Sequence, residues 1–149
     1  PAACYPSAVL GLGATVITNR REIAADDFFV GMYTTALDEG EIITAVRFPI
    51  PKRAAYMKFK QPASRFSLVG VFVAQFDAGV RVAVTGASSC VFRHAGLEAA
   101  LSGSFTPQAA AAVAIDASDL NADLHASAAY RANLISVQTQ RAVAKMTGA

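Results

Sequence analysis

The chain has 149 residues, 54% of them apolar by type, with a formal net charge of +2 and two cysteines. That length holds one compact domain, or one domain and part of another, and its scattered Lys and Arg do not make the concentrated basic face of a nucleic-acid binder. No apolar run approaches the roughly 20 residues of a spanning helix and two cysteines make no disulfide framework, so no membrane span, reduced thiols and a cytoplasmic location are expected. The chain opens with Pro1 and no signal arrangement, which reads as an excised or processed piece.

Pro1 to Leu12 reads as the end of a helix stopped by Gly11 and Gly13. Ala14 to Thr18 reads as a short strand, Asn19 to Arg21 as a turn, and Asp26-Asp27-Phe28-Phe29 as one helical turn before a loop around Gly31 and Gly40. Glu41 to Ile50 carries β-branched residues and ends at Pro49 and Pro51, which predicts a strand with a domain boundary near Lys52. Three strands are then expected, at Ala55 to Lys60, Leu68 to Asp77 and Val80 to Ser88, the last two joined at Ala78-Gly79 as an antiparallel hairpin. Val91 to Gly103 passes through a short helix with Leu97 and Leu101 on one face. Thr106-Pro107 starts an alanine-rich helix running to about Ile115, and Ser127 to Met146 is the longest helix, with Tyr130, Leu134 and Val137 at helical spacing. Strands first and helices after predict an α+β fold: a small antiparallel sheet of three or four strands, covered on one face by about three helices.

Several polar constellations have bland explanations. Gly11-Leu12-Gly13 lacks the third glycine and the strand-to-helix order of a dinucleotide fingerprint, so it reads as a helix stop. Cys90 and His94 are too few ligands to close a metal site. Asp123, His125 and Ser127 have no nucleophile elbow nearby and read as a capping cluster for the long helix. Asp26-Asp27 and Asp38-Glu39 sit in turns, where paired carboxylates are usually solvated. The most unusual cluster is Lys58, Lys60 and Arg65. Alternation puts Lys58, Lys60 and Tyr56 on one strand face, with Met57 and Phe59 on the other. Two cations beside aromatics suit an anionic or electron-poor ring; by the residues alone, a solvated edge strand on which lysine discourages aggregation is the favoured explanation.

Lys58-Phe59-Lys60-Gln61-Pro62-Ala63-Ser64-Arg65-Phe66 followed by Leu68-Val69-Gly70-Val71 resembles the segment that opens the C-terminal domain of molybdenum hydroxylase flavoprotein subunits, of the xanthine dehydrogenase and carbon monoxide dehydrogenase kind. Leu37 to Pro51, with Gly40-Glu41-Ile42-Ile43-Thr44, and Asp123-Leu124-His125-Ala126-Ser127 with Tyr130-Arg131 extend the resemblance over essentially the whole chain. The resemblance implies two parts: residues 1–52 as the remnant of an α+β FAD-binding domain, and 53–149 as the flavoprotein C-terminal domain. It implies an FAD-binding electron-transfer subunit that passes electrons from iron–sulfur clusters through FAD to an acceptor. Its partners would be a molybdopterin-containing large subunit and an iron–sulfur small subunit. The alternative is a docking module that contacts those subunits without binding flavin by itself.

Carried over by position, Ile43 matches a strand residue near the cofactor, Lys58 and Lys60 the lysines beside the flavin, and Phe66 an aromatic close to the ring. His94 and His125 are expected away from that wall. Cys4 stands where family members commonly carry an aspartate, which puts an adenosine-side contact in question. The family's glycine-rich pyrophosphate segments lie upstream of anything in this sequence, so the chain as given is expected to hold FAD weakly or not at all.

Overall fold

The computed structural model describes residues 2–148; Pro1, at the start of the first expected helix, lies outside them. Helix α1 (Tyr5–Gly11) ends where Gly13 turns left-handed at φ 62°, and strand β1 (Thr15–Thr18) follows. β1 is the middle of a three-stranded antiparallel sheet, between β2 (Glu22–Ala24) and β5 (Ile43–Arg47). One helical turn, α2 (Ala25–Phe28), leads into the hairpin of β3 (Phe29–Gly31) and β4 (Thr34–Thr35). Val9, Leu10, Val16, Ile23 and Phe28 form the small core of this region.

β5 is shorter than the expected Glu41 to Ile50 at both ends, and just before it the Glu41 side chain is turned inward. Its carboxylate is closed off from solvent and accepts hydrogen bonds from Thr18 Oγ1 (2.7 Å), Arg21 Nε and Nη2 (3.0 Å each) and the Asp38 backbone N–H (2.8 Å). The Arg21 guanidinium, then the Asp38 N–H and the Thr18 hydroxyl, hold its pKa down at about 2. One carboxylate thus fixes the β1–β2 turn and the loop into β5.

The second sheet is antiparallel in the order β6 (Arg53–Lys60), β7 (Ser67–Phe76), β8 (Gly79–Thr85) and β9 (Phe92–Arg93). The β7–β8 hairpin turns at Gly79 (φ 141°), as expected, and β8 stops three residues early at Gly86 (φ 81°). A Cβ on Gly86 would lie 2.2 Å from Ser67 O, so no other residue fits that corner. Val69, Val71 and Val73 of β7 pair with Phe59, Met57 and Ala55 of β6, and Val71 and Val73 also pair with Val84 and Val82 of β8. These residues face α3 (Ala95–Gly103), α4 (Pro107–Ala111) and α5 (Ala128–Thr147), whose Leu97, Leu101, Ala110, Leu134, Ile135 and Val143 complete the main core. The opposite face is also covered: α1 lies on β7 and β8, where a Cβ on Gly11 would come 2.6 Å from the Phe72 ring.

The helix starts follow the expected chemistry. Thr106 Oγ1 accepts from Ala109 N (3.2 Å) with Pro107 at the first helical position, and Ser127 Oγ accepts from Tyr130 N (3.2 Å). Helix α4 ends at Ala111 rather than near Ile115, since Val113 and Ile115 leave it to pack on the core. In α5 the buried stripe runs through Arg131, Leu134, Ile135, Gln138, Ala142 and Val143, not through Tyr130 and Val137. Arg131 is 2% exposed and donates to Leu68 O (2.7 Å), Gly86 O (3.0 Å) and Asp123 Oδ2 (2.8 Å), which ties α5 to the ends of β7 and β8. Asp123 Oδ1 in turn accepts from the His125 and Ala126 backbone N–H groups, so the expected capping cluster forms. Gln138 is 1% exposed, and neither its oxygen nor its nitrogen has a hydrogen-bond partner.

These two polar residues should respond oppositely to removal of their polarity. Arg131→Met leaves two buried carbonyls without a charged donor and should cost on the order of 3 kcal/mol. Gln138→Met removes an uncompensated amide at nearly constant volume and should stabilise by about 1 kcal/mol. Urea-melt midpoints decide both; a Gln138→Met chain that loses as much stability as Arg131→Met would sink this account of the helix. For Glu41 the folded pKa lies below the ordinary 4.5, so its contribution is full above that value and is lost as pH falls from about 4.5 toward 2. Glu41→Gln should remove that part of the acid dependence, measured as unfolding midpoints across the same window.

Candidate functional site

Of the site residues singled out from the sequence, Lys58, Lys60 and Phe66 gather around the β6–β7 connection. Gln61 N and O bond to Phe66 O and Arg65 N, at 3.0 and 2.9 Å, and Gln61 Oε1 accepts from Ser64 N at 2.8 Å. This closes a tight loop that holds Arg65 at φ 62°, a left-handed conformation uncommon for a residue with a side chain. Between Phe59 and Lys60 the pairing shifts: Phe59 faces Val69 and Lys60 faces Ser67, so Leu68 is the extra residue of a bulge.

The bulge separates the two lysines. Lys58 is half-buried and donates to Cys4 Sγ (3.3 Å) and Arg65 O (3.2 Å). Lys60 is exposed and, with Arg65, forms no ion pair among the described residues. Met57 and Phe59 point to the α5 side and Tyr56 and Lys58 to the α1 side, as alternation requires. Phe66 is half-buried against the main core, and its ring meets His125 edge-on, 5.9 Å between centroids. His125 therefore belongs to the same surface as Phe66, contrary to the expectation that it stands apart. Ile43 lies on the other sheet, 43% exposed on β5, and neither core cluster includes it.

A polar cluster that the motifs did not announce lies on the α1 face. Cys4 Sγ is 3.3 Å from Ser67 Oγ, which is 2.7 Å from Tyr56 Oη, and Thr85 Oγ1 donates to Ala3 O at 2.8 Å. Tyr56 lies across Gly70, where a Cβ would come 2.4 Å from its hydroxyl. Burial first, and then the neighbouring Cys4, pushes the Tyr56 phenol well above its ordinary pKa, so it stays protonated. The shared face of Tyr56 and Lys58 was the one legible sign of this cluster; Cys4 and Ser67 enter it from distant positions.

The remaining candidates are structural. His94 Nδ1 accepts from Leu97 N (3.2 Å) and caps α3, and burial holds its pKa down. Asp26 is bound by Arg81 (2.9 Å) and Arg93 (3.2 Å), and Asp38 faces Arg21 at 3.4 Å. An open cleft of about 600 Å³ beside Gly13 contains Arg81, Arg93 and Glu98, but each arginine in it is paired with a carboxylate. Among the described residues no group of three or more His, Cys, Asp or Glu could hold a metal ion, and no helix is long and apolar enough to cross a membrane.

Known proteins resemble the chain in sequence and in fold. Residues 1–51 match the family described as the FAD binding domain in molybdopterin dehydrogenase. The chain is 35% identical to the nicotine 6-hydroxylase medium subunit of Paenarthrobacter nicotinovorans, over 93% of this chain and 54% of that protein. It is 31% identical to the carbon monoxide dehydrogenase medium chain of Hydrogenophaga pseudoflava, over 83% of this chain and 47% of that one. The quinoline 2-oxidoreductase structure from Pseudomonas putida 86 has the same fold, with a TM-score of 0.83 over 99% of this chain and 56% of that chain at 24% identity. The chain thus spans about half the length of the relatives it matches. Similar along most of its length to medium subunits, and with residues 1–51 matching their FAD-binding domain, the chain fits the medium FAD subunit of the molybdenum hydroxylases.

Proposed function

We propose that this chain contributes one wall of the FAD site in an electron-transfer subunit of a molybdenum hydroxylase. That subunit passes electrons from iron–sulfur clusters through FAD to an acceptor, beside a molybdopterin-containing large subunit and an iron–sulfur small subunit. Residues 1–52 act as the tail of the FAD-binding domain and 53–149 as the C-terminal domain. The observation that carries the reading is the surface of the β6–β7 connection: two exposed cations without carboxylate partners, Lys60 and Arg65, on the same stretch of chain as Phe66.

The donor set fits part of FAD. Lys60 and Arg65 suit its phosphates or an anionic ring, and Phe66 with the exposed Ile43 suits its ring systems. The converging backbone N–H groups that hold a pyrophosphate are not supplied by the Gly11 to Gly13 turn. The Phe72 ring fills the space beside Gly11, and the Arg81 guanidinium, already bound to Asp26, fills that beside Gly13. A bound FAD would supply the one- and two-electron chemistry, and the chain would orient it and set its charge environment. Of the two lysines Lys60 is the one free to face the flavin, since the Lys58 ammonium is already held by Cys4 and Arg65 O. The docking reading has its own support in the exposed apolar tip of the β3–β4 hairpin, where Val30, Met32 and Tyr33 are 59, 51 and 86% exposed.

FAD titration of this chain and of a full-length medium subunit containing it, followed by flavin absorbance, tests the proposal. The full-length subunit should retain FAD through purification and this chain should not; stoichiometric flavin on the chain would contradict the one-wall account. In the full-length subunit Phe66→Ala should weaken FAD by about 1–2 kcal/mol, from lost stacking and apolar burial. Because Phe66 also packs on the core, its unfolding midpoint is measured alongside. Lys60→Met should lower the flavin midpoint potential more than Lys58→Met, because a nearby cation favours the anionic reduced ring. A full-length subunit that assembles with its partners yet never holds flavin would favour the docking reading instead.

A further inference from the structure

The segment before α1 is pinned to the sheet by the hydrogen bond from Thr85 Oγ1 to Ala3 O, and the next side chain, Cys4, lies against β6 and β7. Lys58 of β6 and Ser67 of β7 each lie 3.3 Å from its sulfur. Tyr56 Oη, 2.7 Å from Ser67 Oγ, extends the hydroxyl chain that ends on the sulfur, and Gly70 leaves out the side chain that would displace the phenol. Arg65 O holds the Lys58 ammonium from its other side, so the cation is fixed where it meets the sulfur. Lys58, Tyr56 and Ser67 are the groups from β6 and β7 that act on the thiol, and the Lys58 ammonium is the one charge among them. Cys4 itself is half-buried, so small reagents reach it.

We propose that Cys4, held by Lys58 and Ser67, is a modification site for hydrogen peroxide or an organic hydroperoxide, at which the thiolate becomes a sulfenic acid. The sulfur lone pair attacks one peroxide oxygen, an S–O bond forms, the O–O bond breaks, and hydroxide or alkoxide leaves to take a proton from solvent. Sulfur loses two electrons and the peroxide gains two. Burial works against the thiolate, but the hydrogen bonds of Ser67, Tyr56 and Lys58 and the Lys58 charge outweigh it and hold the thiol below its ordinary pKa. A low-pKa, accessible thiol is the kind that peroxide oxidises selectively. Lys58 and Ser67 then remain as donors to the new sulfenic oxygen. This site stands on the geometry of the α1 face and not on the flavin reading, and its test needs no flavin.

Cys90, which has no charged hydrogen-bond partner among the described residues, is the internal reference. The chain is exposed to hydrogen peroxide, trapped with a 1,3-diketone that reacts with sulfenic acids, and its two cysteine peptides are compared by mass spectrometry. Cys4 should label about tenfold faster than Cys90, and Lys58→Met should remove most of that advantage while Lys58→Arg restores it. Iodoacetamide alkylation across pH should give a half-maximal pH for Cys4 that rises in Lys58→Met and in Tyr56→Phe. Circular dichroism checks folding, and Tyr56→Phe carries the test if Lys58→Met fails to fold. Equal labelling of the two cysteines, or a Cys4 rate and pH profile that ignore the folded variants, overturns the proposal.

Discussion

Strand β7 is buried on both faces for most of its length, and the rest of the molecule is arranged to keep it so. An antiparallel strand usually has one wet face and alternates apolar with polar residues. Leu68-Val69-Gly70-Val71-Phe72-Val73-Ala74 does not alternate, because α5 covers one side and α1 the other. Burying both faces of a strand leaves no water for its backbone, so its ladder bonds to β6 and β8 must be nearly complete. Where the ladder lapses, at Leu68 in the bulge, the freed carbonyl is taken by the Arg131 guanidinium. The buried cation in α5 is therefore a consequence of the strand's irregular end, and Gly86 is required in the same corner for the same reason of space.

That arrangement explains which parts of the fold were legible. Glycine and proline punctuation and capping hydroxyls are local signals, and Gly79, Thr106-Pro107 and Ser127 placed the hairpin and the starts of α4 and α5 correctly. Strands of two or three residues, such as β2, β3 and β4, are too short to show a period and were not expected. The buried face of α5 was misjudged because Arg131 and Gln138 occupy it, and periodicity counts polar residues as exposed. The second cover on the sheet was hidden as well, since α1 precedes the sheet by more than forty residues and nothing local says which element it will meet.

Glu41 shows how a motif can be visible while its work is not. Gly40-Glu41-Ile42-Ile43-Thr44 stood out as part of a resemblance, with attention on Ile43. The structure gives the glutamate the largest local role, since four donors from Thr18, Arg21 and Asp38 converge on it. These partners are scattered over more than twenty residues of chain, so no spacing rule connects them. By fixing the loop into β5, the carboxylate sets where Ile42 and Ile43 emerge, 64 and 43% exposed, at the edge of the first sheet.

The same separation of pattern from role applies to the two lysines of β6. Alternation assigns Lys58 and Lys60 to one face and treats them as equals, and for a regular strand it would be right. The pairing shift after Phe59 ends that regularity, and a left-handed Arg65 turns its carbonyl to the Lys58 ammonium. Lys58 becomes an internal counter-ion for the segment that carries Cys4, whereas Lys60 keeps its charge outside with Arg65 and Phe66. A bulge does not show in a pattern of residue types, because it changes which residues face each other without changing the residues. The register shift within this stretch decides that one cation is held by the fold while the other stays exposed.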